Sequence, residues 1–151
     1  MVEVDDSKWS YLLGRLKEQS HKQRESFVIN FIVMTLLSDG YTDIRPVFQQ
    51  PISKVNNKRE LIDLYFPQLK LGIEIDEDQH QRKDNLIADS NRYERIIKVT
   101  GCDYIEKRID VNKSRNLTDI VQDSRQLVQL IEFMANIQRQ KSDYTPWKTM
   151  A

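Results

Sequence analysis

The chain has 151 residues, with 23 Lys and Arg balanced by 23 Asp and Glu, so its formal net charge is zero. This length predicts one domain with a core of its own. The balanced charge excludes a global attraction to nucleic acid, so any DNA binding must come from local basic stripes. The single cysteine, Cys102, excludes an internal disulfide. With no signal-peptide pattern and no apolar stretch long enough to span a bilayer, we expect a cytoplasmic protein.

The spacing of apolar residues predicts the element order α-α-β-β-β-α-β-α, which is an α/β fold with a mixed sheet flanked by helices. The predicted helices cover about 7–19, 22–37, 85–100 and 118–140, with Thr118 as the cap of the last one. The helix over 22–37 is apolar around most of its circumference, which predicts the most buried helix. The strand over 44–52 contains two prolines and is therefore expected at an edge of the sheet. Residues 1–140 are predicted to form the domain, and 141–151 a tail or the start of a linker.

The segment from Arg59 to His80 organises the chain, because it predicts two strands joined by a tight turn at Pro67-Gln68. Strand alternation places Glu74 and Asp76 on one face and an apolar row on the other. In the first strand, alternation places Asp63 opposite a shared apolar face of Ile62, Leu64 and Phe66. If the strands pair, three carboxylates meet and repel each other unless a cation or protons neutralise them. The pattern favours a metal site, and a solvated acidic face on an edge hairpin is the alternative.

An Asp on one strand followed by Glu-x-Asp on the next resembles the restriction-endonuclease-like nucleases, the PD-(D/E)xK group. The lysine position of that motif is Asp76 here, which matches a branch similar to the very-short-patch-repair (Vsr-like) nucleases. Within that branch, LIDLYFPQLKLGIEIDEDQH looks most like the nuclease domain of restriction endonucleases that depend on 5-hydroxymethylcytosine or its glucosylated form. The resemblance also covers ESFVINFI, VFQQP and ERIIKVTGCDYIEKRIDV, and so most of residues 22–135.

The resemblance implies an endonuclease that uses Mg²⁺ or Mn²⁺ to hydrolyse phosphodiesters of double-stranded, modified DNA. Asp63 and Glu74 match the metal ligands, and the backbone carbonyl of Ile75 matches a third. Asp76 matches the position that replaces the lysine, and His80 matches a histidine that accepts the proton of the attacking water or positions that water. Hard cations prefer such oxygen ligands, and the pKa of a histidine lies near neutrality.

Four basic residues, Arg82, Lys83, Arg92 and Arg95, follow the acids and are candidate contacts to DNA phosphates. Spacing places the last two on the outer face of the helix over 85–100, where an ordinary solvated face is the alternative. The family's enzymes carry a further C-terminal domain that reads the modified base, so we expect base recognition from a second domain or partner, and a homodimer for double-strand cleavage. A related repair or nicking nuclease and a non-cleaving DNA-binding or interaction domain of the same fold are the alternative functions.

Overall fold

The computed structural model describes residues 21–55, 58–76, 86–101 and 103–147. It contains three helices and four strands in these ranges: α1 His21–Ser38, β1 Val47–Val55, β2 Lys58–Phe66, β3 Leu71–Asp76, α2 Leu86–Thr100, β4 Ile105–Asp110 and α3 Leu117–Arg139. The helix predicted over 7–19 lies outside the described residues. None of the described helices has the length and apolar character needed to cross a membrane.

The four strands form one sheet in the order β1-β2-β3-β4. β1–β2 and β2–β3 are antiparallel, whereas β3–β4 is parallel. Parallel neighbours need a long crossover connection, and the segment containing α2 supplies it. The mixed sheet flanked by helices is therefore confirmed, and β1 lies at an edge as its prolines predicted.

Helices α1 and α3 cover one face of the sheet, and α2 covers the other. The larger core lies on the first face, where Ile32 of α1 and Ile131 of α3 pack with Leu71 and Ile73 of β3. The smaller core lies under α2 and consists of Ile62, Tyr65, Ile96 and Tyr104. Because Glu74 alternates with Ile73 along β3, its side chain belongs to the α2 face.

Two predictions about the helices are wrong. Among its described side chains, helix α1 buries only the stripe of Arg24, Val28, Ile32 and Leu36, while Met34 is 64% exposed, because only one side of the helix meets the sheet. The cap of α3 is Asn116 and not Thr118, since the Asn116 side chain accepts a hydrogen bond of 2.8 Å from the Thr118 backbone N–H.

Candidate active site

The predicted acids lie where β2 and β3 stop pairing. The ladder between these strands runs from Phe66 opposite Leu71 to Leu64 opposite Ile73. Two residues beyond Ile73, the Ile75 backbone N–H donates a hydrogen bond of 2.8 Å to Oδ2 of Asp63, the residue next to Leu64. The separation of the strands therefore leaves room for side chains, and Asp63 occupies it next to β3.

An irregularity in β1 accompanies this position of Asp63. Gln49 lies between the pairs Phe48–Leu64 and Gln50–Ile62, and its φ of 53° is outside the range of a regular strand. Ile62 packs under α2, whereas Leu64 packs against α1 and α3. The prediction that these two residues share a face is therefore wrong, because the simple alternation of the strand is broken at Asp63.

Glu74 is deeply placed in the site, with only 13% of its side chain exposed. Burial raises the pKa of the Glu74 carboxyl to about 9, against the opposing effect of the Arg92 charge. Neighbouring Asp63 and Glu106 raise this pKa further, and Asp63 also hydrogen-bonds the Glu74 carboxyl. Asp63 and Glu74 are thus brought together, and a proton on Glu74 relieves their mutual repulsion. The prediction that all three carboxylates meet is wrong, because, among the described residues, Asp76 does not form with them a group that could hold a metal ion.

Arg92 of α2 reaches into this cluster. Its Nη2 donates hydrogen bonds to the Leu61 carbonyl at 2.6 Å and to Oε1 of Glu74 at 2.5 Å. The predicted position of Arg92 on the outer face of its helix is therefore wrong. A sequence signal for the inner position exists, because Arg92 lies four residues before the fully buried Ile96 and so on the same side of the helix.

Glu106 of β4 is a site residue that the sequence argument did not connect with the acids. The parallel register places Glu106 opposite Gly72 and Arg108 opposite Glu74. Arg108 forms an ion pair of 3.4 Å with Oε2 of Glu106, whereas Oε1 of Glu106 is buried without a hydrogen-bond partner among the described residues. Strand alternation places Glu106 and Arg108 on the same face of β4, but only the parallel register shows that this face adjoins Glu74.

Asp76 and Ile75 complete the end of β3. Asp76 lies opposite Asp110 of β4. The backbone carbonyl of Asp76 accepts a hydrogen bond of 2.9 Å from the Val111 N–H. Because backbone groups alternate in direction along a strand, the N–H and carbonyl of Ile75 point instead towards β2 and Asp63. The Ile75 carbonyl therefore lies on the side of β3 that its predicted role as a ligand requires.

Of the four remaining predicted site residues, only Arg95 lies in the part of the chain that the structure describes. His80, Arg82 and Lys83 lie outside the described residues, and Arg95 is half-buried on α2. Within the described ranges, no three His, Cys, Asp or Glu side chains are grouped so that they could hold a metal ion. The described candidates are two carboxylates and a backbone carbonyl, a set of hard oxygen donors that fits Mg²⁺, which keeps several of its waters.

Comparisons with known protein families and with solved structures agree with each other. A family model described as the N-terminal part of PvuRts1 I-like restriction endonucleases matches residues 9–149. Among solved structures, the 5-hydroxymethylcytosine-specific restriction enzyme AbaSI superposes with a TM-score of 0.60 at 24% sequence identity. The alignment covers 96% of this chain and 52% of the AbaSI chain, so this chain spans about half of that enzyme. No curated protein sequence matches.

Proposed function

This chain belongs to the PvuRts1 I-like restriction endonucleases, and we propose that it is a Mg²⁺- or Mn²⁺-dependent domain that hydrolyses phosphodiester bonds of DNA in a modification-dependent restriction system. The family match confirms the resemblance inferred from the hairpin, and the likeness to AbaSI confirms the restriction-enzyme fold. The observation that carries the proposal is the meeting of Asp63 and Glu74 where β3 no longer pairs with β2.

The residues that would hold the metal are Asp63, Glu74 and the backbone carbonyl of Ile75. A bound Mg²⁺ supplies positive charge at the scissile phosphate and makes water a stronger acid. The protein fixes both carboxyl groups in advance, because Ile75 holds Asp63 and Arg92 holds Glu74. Burial also excludes water from around Glu74, which strengthens the attraction of its carboxylate for a cation. His80 is proposed to position the attacking water or to accept its proton.

We further propose double-stranded DNA carrying 5-hydroxymethylcytosine as the substrate of the working assembly, which acts in the cytoplasm. The support is the family match, together with the specificity that the name of AbaSI records for that enzyme. We propose that a second domain or a partner reads the modified base. A homodimer supplies the two sites that a double-strand break needs.

Cleavage of supercoiled plasmid tests the nuclease activity directly. The 151-residue chain is incubated at high protein concentration with Mg²⁺, with Mn²⁺ and with chelator, beside the variants Glu74→Gln and Asp63→Asn. We expect nicked or linear plasmid only when metal is present and only when the protein carries neither substitution. Full cleavage in chelator, or by Glu74→Gln, would contradict the metal-dependent mechanism. Specific DNA binding without cleavage under every condition would instead favour a non-cleaving binding domain.

A further inference from the structure

We infer that Arg92 is a positioning residue for the metal site, and that it holds one oxygen of Glu74 so that the other oxygen is the ligand. This inference rests on the proposed function, because it assigns to Arg92 a role in the site where the cation would bind. It replaces the phosphate contact that the sequence pattern indicated for this arginine.

The first support is the path of the Arg92 side chain, which leaves α2 and crosses to the sheet. Only 24% of it is exposed, and both of its short hydrogen bonds are made by Nη2. One bond is to Oε1 of Glu74 on β3, and the other is to the Leu61 carbonyl on β2. The buried Nε has no hydrogen-bond partner among the described residues. Within the described part of the chain, therefore, the two Nη2 hydrogen bonds hold the Arg92 side chain in place.

The second support is that the two acids are held reciprocally. Beyond Leu64 opposite Ile73, the β2–β3 ladder no longer sets the distance between the strands. Asp63 of β2 is instead bound by the Ile75 N–H of β3 at 2.8 Å, and Glu74 of β3 is bound to β2 through Arg92. These two connections span the same gap, so they set the separation of the two carboxyl groups that would hold the cation.

The third support is the chemistry of the guanidinium group. It stays charged at every physiological pH and offers donors in a rigid plane, and its charge-assisted bond from Nη2 fixes the position of Oε1 of Glu74. A positive charge next to Glu74 also offsets part of the cost of burying its negative form. Partners that orient a ligand in this way contribute about 10- to 100-fold in metal affinity.

Calorimetric titration of Mn²⁺ into the DNA-free protein tests the inference. The variants are Arg92→Gln, which removes the charge, and Arg92→Lys, which keeps the charge and can replace some of the Nη2 contacts. Lys98→Gln is the matched control, because Lys98 is an exposed cation on the same helix. We expect Mn²⁺ binding to weaken by about 10- to 100-fold in Arg92→Gln and by less in Arg92→Lys. Lys98→Gln should bind Mn²⁺ like the unmodified sequence.

Two further measurements separate positioning from other roles of Arg92. In chelator, Arg92→Gln should leave DNA affinity and its salt dependence unchanged if Arg92 positions Glu74. If Arg92 contacts a DNA phosphate, the substitution should lower both. In a Glu74→Gln background, Arg92→Gln should cause no further loss of Mn²⁺ affinity, because the two residues act as one unit. This comparison keeps its meaning even if the single variants differ in thermal stability.

The outcomes distinguish this inference from the proposed function. If the unmodified sequence binds Mn²⁺ and Arg92→Gln binds it equally well, the positioning role is wrong and the nuclease proposal stands. If DNA affinity and its salt slope fall while Mn²⁺ affinity is kept, Arg92 is a phosphate contact. If the unmodified sequence binds no Mn²⁺ and cleaves no DNA, the proposed function fails and the inference fails with it.

Discussion

The Asp63 carboxylate accepts a hydrogen bond of 2.8 Å from the backbone N–H of Ile75, where β2 and β3 cease to pair. A buried backbone N–H needs a partner, and here a side chain replaces the neighbouring strand. Asp63 therefore has a structural contact in addition to its proposed role as a metal ligand. Variants that separate the charge of this side chain from its acceptor atom distinguish the two.

Asp63→Asn should abolish cleavage and keep most of the stability, because the amide oxygen can still accept the Ile75 N–H. Asp63→Ala should also abolish cleavage, and should unfold more easily than Asp63→Asn by about 1 kcal/mol for the lost hydrogen bond. Urea unfolding in chelator measures the free energies, and plasmid cleavage with Mg²⁺ measures the activity. Cleavage by Asp63→Asn at the rate of the unmodified sequence would exclude Asp63 as a metal ligand.

The position of the acids was predictable from the sequence, because the side chains of β3 alternate without interruption. Leu71, Ile73 and Ile75 are buried on the face of the larger core, and Glu74 lies on the opposite face. In β2 the same argument fails at Ile62, since alternation holds only while the strand remains regular. Gln49 adopts a positive φ beside this point, and nothing in the residue type of a glutamine predicts such a conformation.

The composition of the site is less predictable than its position. Glu106 and Arg92 approach Glu74 from β4 and α2, two elements that lie after it in the chain. Their contribution depends on the parallel register of β3 with β4 and on how α2 lies over the sheet, which are tertiary relationships. A sequence pattern gives the face of an element, but it does not give the neighbour that the face meets.

Gly72 is expected to tolerate no larger residue. A Cβ at this position would lie 2.0 Å from the hydroxyl oxygen of Tyr104, so one of the two groups must move. Gly72→Ala should lower the free energy of unfolding by at least about 1–3 kcal/mol, the usual cost of overpacking. Differential scanning calorimetry at neutral pH measures the accompanying fall in Tm.

The matched background for this test is Tyr104→Phe. The Tyr104 hydroxyl is buried without a hydrogen-bond partner among the described residues, so its removal alone should be close to neutral. Gly72→Ala should cost less in Tyr104→Phe, although the ring carbon at 2.8 Å keeps some of the strain. An equal cost in both backgrounds would show that the loss arises elsewhere than at this contact.

Asp43 should make the fold sensitive to acid. The Arg139 guanidinium hydrogen-bonds its carboxylate, and Tyr144 adds a second bond, which hold the Asp43 pKa at about 2 compared with an ordinary 3.8. A carboxyl whose pKa is lower in the folded than in the unfolded chain stabilises the fold at every pH above its unfolded pKa. This contribution is lost as the pH falls from about 4 to about 2. With 21% of the side chain exposed, the contribution is at most about 2 kcal/mol.

Urea unfolding between pH 2.5 and pH 6 measures this contribution. Asp43→Asn should be less stable than the unmodified sequence at pH 6, and the difference should shrink as the pH approaches 2.5. Asp103→Asn is the control, because Asp103 is 85% exposed and pairs with Lys70 at 3.6 Å. A difference between Asp43→Asn and the unmodified sequence that stays constant over this range would contradict the assignment.

The last prediction concerns recognition of the modified base, and we expect that these 151 residues alone do not discriminate it. A protein that reads such a base takes it out of the stack into a pocket beside the reacting groups. A described cavity of about 570 Å³ is lined by Lys70, Ile105, Met134 and Tyr144, among others. Lys70 precedes β3 and lies four residues from Glu74, or about 13 Å along an extended strand, so this cavity is remote from the acids.

Because the chain has zero net charge, it can neutralise few phosphates, so we expect weak non-specific DNA binding at physiological salt. We therefore expect slow cleavage that rises as salt is lowered, at equal rates on matched duplexes with cytosine or 5-hydroxymethylcytosine. Glu74→Gln on both duplexes supplies the background rate. Fusion of a base-reading domain after Trp147 should then raise the rate on the modified duplex alone. A strong preference of the unfused chain for the modified duplex would show that the base is read within these residues, and would refute the proposed division between cleavage and recognition.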